Sequence, residues 1–535
     1  MNLRPRLLLA AALVLPGRMT AQAQGERYDL LITGGTILDG TGAPGFPGDV
    51  AVRGDRVVRI SRSPLPRSEA LRVIDASGLA VAPGFIDLHT HLEPLPEWPD
   101  AESHVRQGVT LAIGGPDGGG PWPFGRYLRH LDSLPLGMNV GFLAGHNTIR
   151  AAVMGMAGRD PTPAELERMK GMVRQSMAEG AFGMSTGLFY LPGTFSKLDE
   201  VVALSKVAAE SGGIYTSHLR KEGIGLLDGV GEAMEIGRLA KIPVVLTHHK
   251  AIGRAMWGAS ATTIAMIDSA RAAGTDVMAD QYPYTASHTG LGVLLPAWAR
   301  EGGDTAFARR VKDPVLRDSI IRGTVFNLEN DRGGGDLRRV QFSMVEWDHS
   351  LEGRRLYDWV VDRGLEPTLE NAATLVIEAE LKGGAGAIYH VMDDGDVERI
   401  MRYPMTAIAS DGRLSRPGVG HPHPRAYGTF PRVLGVYVRE KHVLTLEDAV
   451  RKMTSLPAWR LGLADRGRLA EGMMADITVF DPATVRDRST FEQPHQYPAG
   501  IPYVIVNGVV VVDGGAFTDR RPGRVIRKPG QAGGP

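Results

Sequence analysis

From Tyr28 to Asp39 apolar and polar positions alternate, and Gly34-Gly35 punctuates the run as a strand and turn would. Gly48 to Ile60 continues with β-branched residues around Gly54-Asp55, which predicts two more strands and a tight turn. The same signal returns near the far end, in Gly472 to Asp481 and Tyr503 to Val512, where Asn507-Gly508 is a hairpin dipeptide. Strands from both ends are therefore expected to form one small β-sandwich domain. Its parts fall at residues 24–80 and 456–520, and the middle of the chain interrupts it.

The middle has a different rhythm. Short apolar runs alternate with amphipathic helical stretches such as Pro161 to Ala178 and Leu198 to Ser211, the mark of β/α repeats on a parallel sheet. Eight strand ends are expected: Ile86 to His91, Thr110 to Gly115, Val140 to Gly145, Gly183 to Gly187, Ile214 to His218, Val244 to His248, Val277 to Tyr282 and Thr406 to Asp411. Eight is the number that closes a (β/α)8 TIM-like barrel, here over residues 81–455. An insertion at about 290–395, rich in Arg and Asp, precedes the last strand; it is expected to be a helical excursion that could cover the barrel mouth. The tail, residues 521–535, is rich in Arg, Pro and Gly and is expected to be disordered or to lie along the surface.

Composition narrows the class. At 535 residues the chain suits two or more domains. Its formal net charge is zero, which gives no basic patch for nucleic acid. Arg4 and Arg6, the apolar run Leu7 to Leu15 and the small-x-small Ala21-Gln-Ala23 read as a cleaved signal peptide over residues 1–23. The mature chain is then expected in the periplasm or outside the cell, with no membrane attachment. There is no cysteine, which removes thiolate from the available ligands and nucleophiles and leaves any metal to His and carboxylate.

Polar residues gather where the strands stop. His89-Thr-His91 places two imidazoles two residues apart, on one face of a strand. Asp117 follows the second strand in Gly-Gly-Pro-Asp-Gly-Gly-Gly, His218 ends the fifth, His248-His249-Lys250 the sixth, and Asp411-Gly412 the eighth. The C-terminal ends of barrel strands converge on one face, so these residues can meet. Imidazole and carboxylate suit Zn²⁺ or another divalent ion with a position left open for water, whose proton is then lost near neutral pH. Asp411 is placed to take that proton and return it to a leaving amine.

The motifs Pro83-Gly-Phe-Ile-Asp-Leu-His-Thr-His91, Gly180-Ala-Phe-Gly-Met-Ser-Thr-Gly-Leu188, Ser217-His-Leu-Arg220, Asp280-Gln-Tyr-Pro-Tyr-Thr-Ala-Ser287 and Pro422-His-Pro-Arg-Ala-Tyr-Gly-Thr-Phe-Pro-Arg432 carry a resemblance. So do Ala475-Asp-Ile-Thr-Val-Phe-Asp-Pro482 and Pro494-His-Gln-Tyr-Pro498. The chain resembles the amidohydrolase superfamily and, within it, the N-acyl-D-amino-acid deacylases. The resemblance implies hydrolysis of N-acyl-D-amino acids to a carboxylate and a free D-amino acid, with one or two Zn²⁺ ions. It implies that His89, His91 and Asp411 ligate the more exposed metal position, and His218 and His248 the tight one. Asp411 is implied as the general acid/base, Lys250, Tyr282 and Arg425 as the grip on the substrate's α-carboxylate, and Tyr190 as a neighbour of the substrate. His249 falls at a variable position. The sequence departs from the family where a metal-binding cysteine is expected after the second strand: Asp117 stands there, a harder ligand able to bridge two ions. A dipeptidase, cyclic amidase or lactonase on the same scaffold, and a non-catalytic metal- or ligand-binding protein, remain the alternatives.

Overall fold

A computed structural model of the chain describes residues 27–528. The expected signal peptide and residues 529–535 lie outside the described residues. No helix of the described residues is long and apolar enough to cross a membrane.

The eight expected strands form, and they run parallel. In order they are Phe85–Asp87, Val109–Gly114, Asn139–Phe142 with Ala144–Gly145, Gly183–Gly187, Ile214–His218, Val244–Leu246, Val277–Gln281 and Thr406–Ile408. Each pairs in parallel with the next. The ring closes where Gly412 and Arg413 pair with Thr90 and His91. Period-two alternation sets what each strand buries: Ile86, Ile113, Phe182, Val245, Met278 and Ala407 fill one cluster. Ala112, Met184, Tyr215, Val244, Leu246 and Ala279 instead join the larger core, as side chains that leave opposite faces of the strands must.

The strands of the two chain ends form a single nine-stranded sheet. Its long first strand, Tyr28–Ile37, pairs with Ala70–Asp75 along its first half and with Ala80–Pro83 at its end. A register shift between Ile32 and Gly35 bends it. The sandwich interior, with Leu30, Ile32, Val50, Val52, Ile477, Val479 and Ile505, thus belongs to one folded sheet. Asn507 and Gly508 both have positive φ, as the two central residues of a tight hairpin turn require.

Three expectations need correction. Residues 81–83 belong to this sheet, because Ala80–Pro83 pairs antiparallel with Ile477–Phe480, and the barrel starts at Phe85. At the other boundary, the helix Ser455–Leu461 packs its Leu456, Ala458 and Leu461 into the barrel cluster, and the C-terminal strands begin only at Ile477. The insertion is mixed: beside helices such as Pro314–Asn330 and Leu369–Leu381 it holds an antiparallel sheet of Ser287–Gly290, Gly386–Tyr389 and Val340–Met344. The alternation Val340-Gln-Phe342 was the signal for it. The described part of the tail, residues 521–528, lies along the surface as one of the two expectations had it: Gly523 and Val525 bridge to Leu136 and Val140, Arg527 pairs with Asp132, and Ile526 packs on the barrel cluster.

Gly84 is the joint between sheet and barrel. Its N–H donates to Asp476 O, and a Cβ there would meet Thr110 Oγ1 at 2.2 Å and Cγ2 at 2.3 Å. Thr110 is buried and its branched side chain cannot swing clear. Gly84→Ala is expected to cost about 1–3 kcal/mol through overpacking, seen as a lower urea midpoint with unchanged secondary structure by circular dichroism.

Candidate metal centre and active site

The mouth of the barrel is built from backbone held in uncommon conformations. Asp117, His248 and Asp411 all have positive φ, at 52°, 37° and 47°, a region that non-glycine residues enter at a cost and that gathers at functional sites. Each is fixed from outside. Around Asp117, Ser185 Oγ of the fourth strand donates to Gly115 O and accepts from Gly118 N. Asp280 of the seventh strand accepts from His248 N at 2.5 Å. Asp411 N donates to His89 O, and Asp87 accepts from both His89 N and Ser410 N, which ties the first strand to the last.

These constraints bring the six expected ligands together. His89, His91, Asp117 and Asp411 form one group of potential ligand atoms within reach of one ion, and Asp117, His218 and His248 form a second. Asp117 is common to both. Its Oδ1 lies 3.5 Å from His89 Nε2 and 3.4 Å from His248 Nε2; its Oδ2 lies 3.7 Å from both His91 Nε2 and His218 Nδ1. Asp411 Oδ1 is 3.2 Å from His91 Nε2 and 3.5 Å from His89 Nε2.

The charges divide unevenly. Burial would raise Asp411, but Arg425 at 2.7 Å, then His248 and the His89 and His91 contacts, hold its carboxyl well below the usual range. Burial would likewise raise Asp117, and His89, His248 and His218 outweigh it. The difference is that every ion-pair partner of Asp117 is an imidazole. A buried carboxylate without a permanent cation costs several kcal/mol. Asp117 Oδ1, His89 Nε2, His218 Nδ1 and His248 Nε2 are moreover buried without a hydrogen-bond partner. Unpaired donor atoms around an uncompensated carboxylate are what a divalent cation satisfies, and the all-N,O set suits Zn²⁺ or a neighbouring divalent metal.

The cavity above these residues is about 490 Å³ and is lined by Tyr190, Lys250, Tyr282 and, from the insertion, Ser287, His288, Thr289 and Arg332. Tyr190 packs its ring 4.5 Å from His218. Its hydroxyl accepts from Thr289 Oγ1, which leaves its own O–H to donate. Burial, then the charge of Asp117, keeps that hydroxyl protonated. Arg425 lies over the Tyr282 ring at 4.6 Å. Lys250 is more committed than the resemblance implies: its Nζ contacts Glu222 Oε1 at 2.5 Å, His248 Nδ1 at 2.7 Å and His248 O at 2.9 Å. His249 turns away to Thr263 Oγ1. His146 and Arg150 both bind Glu200, clear of the site. Glu222 and Arg332 were not foreseen. Glu222 lies four residues past His218, a spacing that could have flagged it; Arg332 sits in a loop of the insertion with no local signal.

An eight-stranded barrel with paired His and Asp groups around a shared carboxylate at its C-terminal mouth defines a metal-dependent hydrolase. The chain belongs to the amidohydrolase family, whose model matches residues 72–255 and 357–512. It is 37% identical to a D-aminoacylase of Alcaligenes xylosoxydans xylosoxydans over 95% of this chain and 99% of that protein. It is 38% identical to an N-acyl-D-glutamate deacylase of the same organism over 95% and 98%. Among solved structures, an N-acyl-D-glutamate deacylase from Bordetella bronchiseptica, complexed with zinc and a phosphonate inhibitor, superimposes with a TM-score of 0.80 at 36% identity. That match covers 94% of this chain and all of that one.

Asp117→Ala should weaken Zn²⁺ binding at least about tenfold, by comparison with the loss seen even for residues that only support a ligand. Asp117→Cys, which supplies a thiolate at the same place, should retain bound zinc. Elemental analysis after dialysis against a weak chelator measures both.

Proposed function

We propose that the chain hydrolyses the amide bond of N-acyl-D-amino acids, using one or two divalent cations, zinc in the first instance. The observation that carries this reading is the carboxylate of Asp117 shared by two His-containing groups. The relatives, a D-aminoacylase and N-acyl-D-glutamate and N-acyl-D-aspartate deacylases, support the choice of substrate. His89, His91 and Asp411 would hold one ion, His218 and His248 the other, with Asp117 between them. A bound divalent ion acidifies water and polarises the acyl carbonyl.

The chain's own residues do the rest. Asp411 is kept ionised by Arg425, so it is ready to accept a proton from the attacking water and to pass it to the departing amine. Tyr190 offers its O–H to the oxygen that gains charge in the transition state. Arg425, 4.6 Å from the Tyr282 ring, would grip the α-carboxylate with it, since a guanidinium fork matches carboxylate geometry. Lys250 would complete that grip. Residues 1–23 support export to the periplasm or beyond; Edman sequencing of the exported protein should begin near Gln24.

Asp411→Asn is expected to lower kcat on N-acyl-D-amino acids by about 10²–10⁴-fold, with metal content measured alongside. Unchanged turnover would remove Asp411 from the reaction. A wild-type enzyme inert on D- and L-N-acyl amino acids but active on dipeptides, cyclic amides or lactones would replace the proposed substrate.

A further inference from the structure

The parallel ladder between the third and fourth strands pairs Ala144 with Met184 and Gly145 with Ser185. At the same offset Asn147 stands opposite Gly187, but the chain has by then turned into the helix His146–Met154. The Asn147 side chain takes the place of the missing strand. Its Oδ1 accepts from Gly187 N at 3.1 Å, and its Nδ2 donates to Gly187 O at 2.9 Å and to Tyr190 O at 3.3 Å. We infer that Asn147 is a positioning residue that presents the Tyr190 hydroxyl to the oxygen that gains charge in the reaction. This rests on the role given to Tyr190 above.

Gly187 and Tyr190 are the two ends of one turn, closed by Tyr190 N donating to Gly187 O at 3.0 Å. One edge of the turn hangs from the fifth strand: Gly187 pairs with His218, and Leu188 N donates to His218 O. Asn147 holds the other edge and grips both ends at once. Its orientation is fixed, because a flipped amide would set its oxygen against two carbonyls and its NH2 against an N–H. Asn147 is buried, and its helix is anchored where His146 and Arg150 both meet Glu200. Glycines make the room: a Cβ at Gly118 or Gly193 would strike the Asn147 amide, and one at Gly187 would strike Asp117 O and the Tyr190 ring. The Asp117 loop has hydrogen bonds of its own, from Ser185 Oγ and from Thr148 N to Gly118 O, and none of them uses the Asn147 side chain. Loss of the amide should therefore displace Tyr190 and leave the metal ligands in place.

Turnover is measured on the best substrate of a panel of N-acetyl-D-amino acids, using zinc-loaded full-length enzyme, with circular dichroism to confirm folding. Tyr190→Phe should lower kcat about 10²–10³-fold, as loss of one donor to a developing oxyanion does. Asn147→Ala should lower kcat about 10–100-fold by misplacing that donor, with KM and zinc content unchanged. The double variant should fall no more than about twofold below Tyr190→Phe, because Asn147 then has no hydroxyl left to place. Losses that multiply in the double variant overturn the inference, since a general loosening of the fold acts on both backgrounds alike. Wild-type kcat in folded Asn147→Ala overturns it too, and so does lost zinc, which would make Asn147 a brace of the Asp117 loop. If Asn147→Ala does not fold, the same cycle with Asn147→Ser decides, its hydroxyl being too short to hold both ends of the turn. Unchanged turnover in Tyr190→Phe removes the role of Tyr190 and this inference with it. A wild-type enzyme inert across the panel would instead sink the substrate reading on which both rest.

Discussion

A buried carboxylate with no permanent cation beside it is the constraint on which this site depends. Asp117 is surrounded by four imidazoles and nothing else of opposite charge. Left alone, such a group costs several kcal/mol, and the chain adds backbone strain at Asp117, His248 and Asp411 to bring it there. The strained positions come from three different strand ends and are braced by Ser185, Asp280 and Asp87. The barrel makes this possible: only a closed parallel ring points eight strand ends at one spot while a packed interior beneath them holds the register.

Asp411, Glu222 and Asp117 differ in what neutralises them, and this separates their work. Asp411 has a fixed guanidinium, Arg425, so it stays ionised with or without a metal, as a proton acceptor must. Glu222 has the permanent cation of Arg332 at one oxygen and Lys250 at the other, and its carboxylate faces His218 and His248 at 3.4 and 3.3 Å. Asp117 has only neighbours whose charge is conditional. It is the one whose electrostatics change most when an ion enters, and it is the one both ligand groups share.

Much of this could be read from sequence because barrel strands announce their own ends. His89-Thr-His91, Ser217-His218 and Asp411-Gly412 each close an apolar run, and period-two geometry then dictates where their side chains go. Asp117 was legible for a different reason: the glycines around it mark a loop bent beyond what other residues tolerate. Glu222 was missed because a charged residue in Arg-Lys-Glu-Gly reads as solvated surface, and only its spacing of four from His218 hints otherwise; its burial follows from Arg332, 110 residues away, folding over it. The domain boundary, expected between residues 80 and 81, fell three residues early because one apolar run serves two sheets, although Pro83-Gly84 along that run marks the break between Ala80–Pro83 and Phe85–Asp87. The helix content of the insertion masked its three short strands for a similar reason: each is only four or five residues long.

The origin of each wall of the cavity gives a division of labour. Every candidate ligand, and Asp411 with its Arg425, lies in the stretches matched by the amidohydrolase model, residues 72–255 and 357–512. Ser287, His288, Thr289 and Arg332, which face them across the cavity, lie in the segment between those stretches. The centre that activates water is thus fixed by strand ends common to the family. The wall that an amino-acid side chain or acyl group would touch is supplied by a mixed α/β insertion free to vary without disturbing the barrel. Glu222 and Arg332 join the two, since one comes from the barrel and the other from the insertion, and their ion pair couples the position of the substrate wall to the imidazoles beneath it.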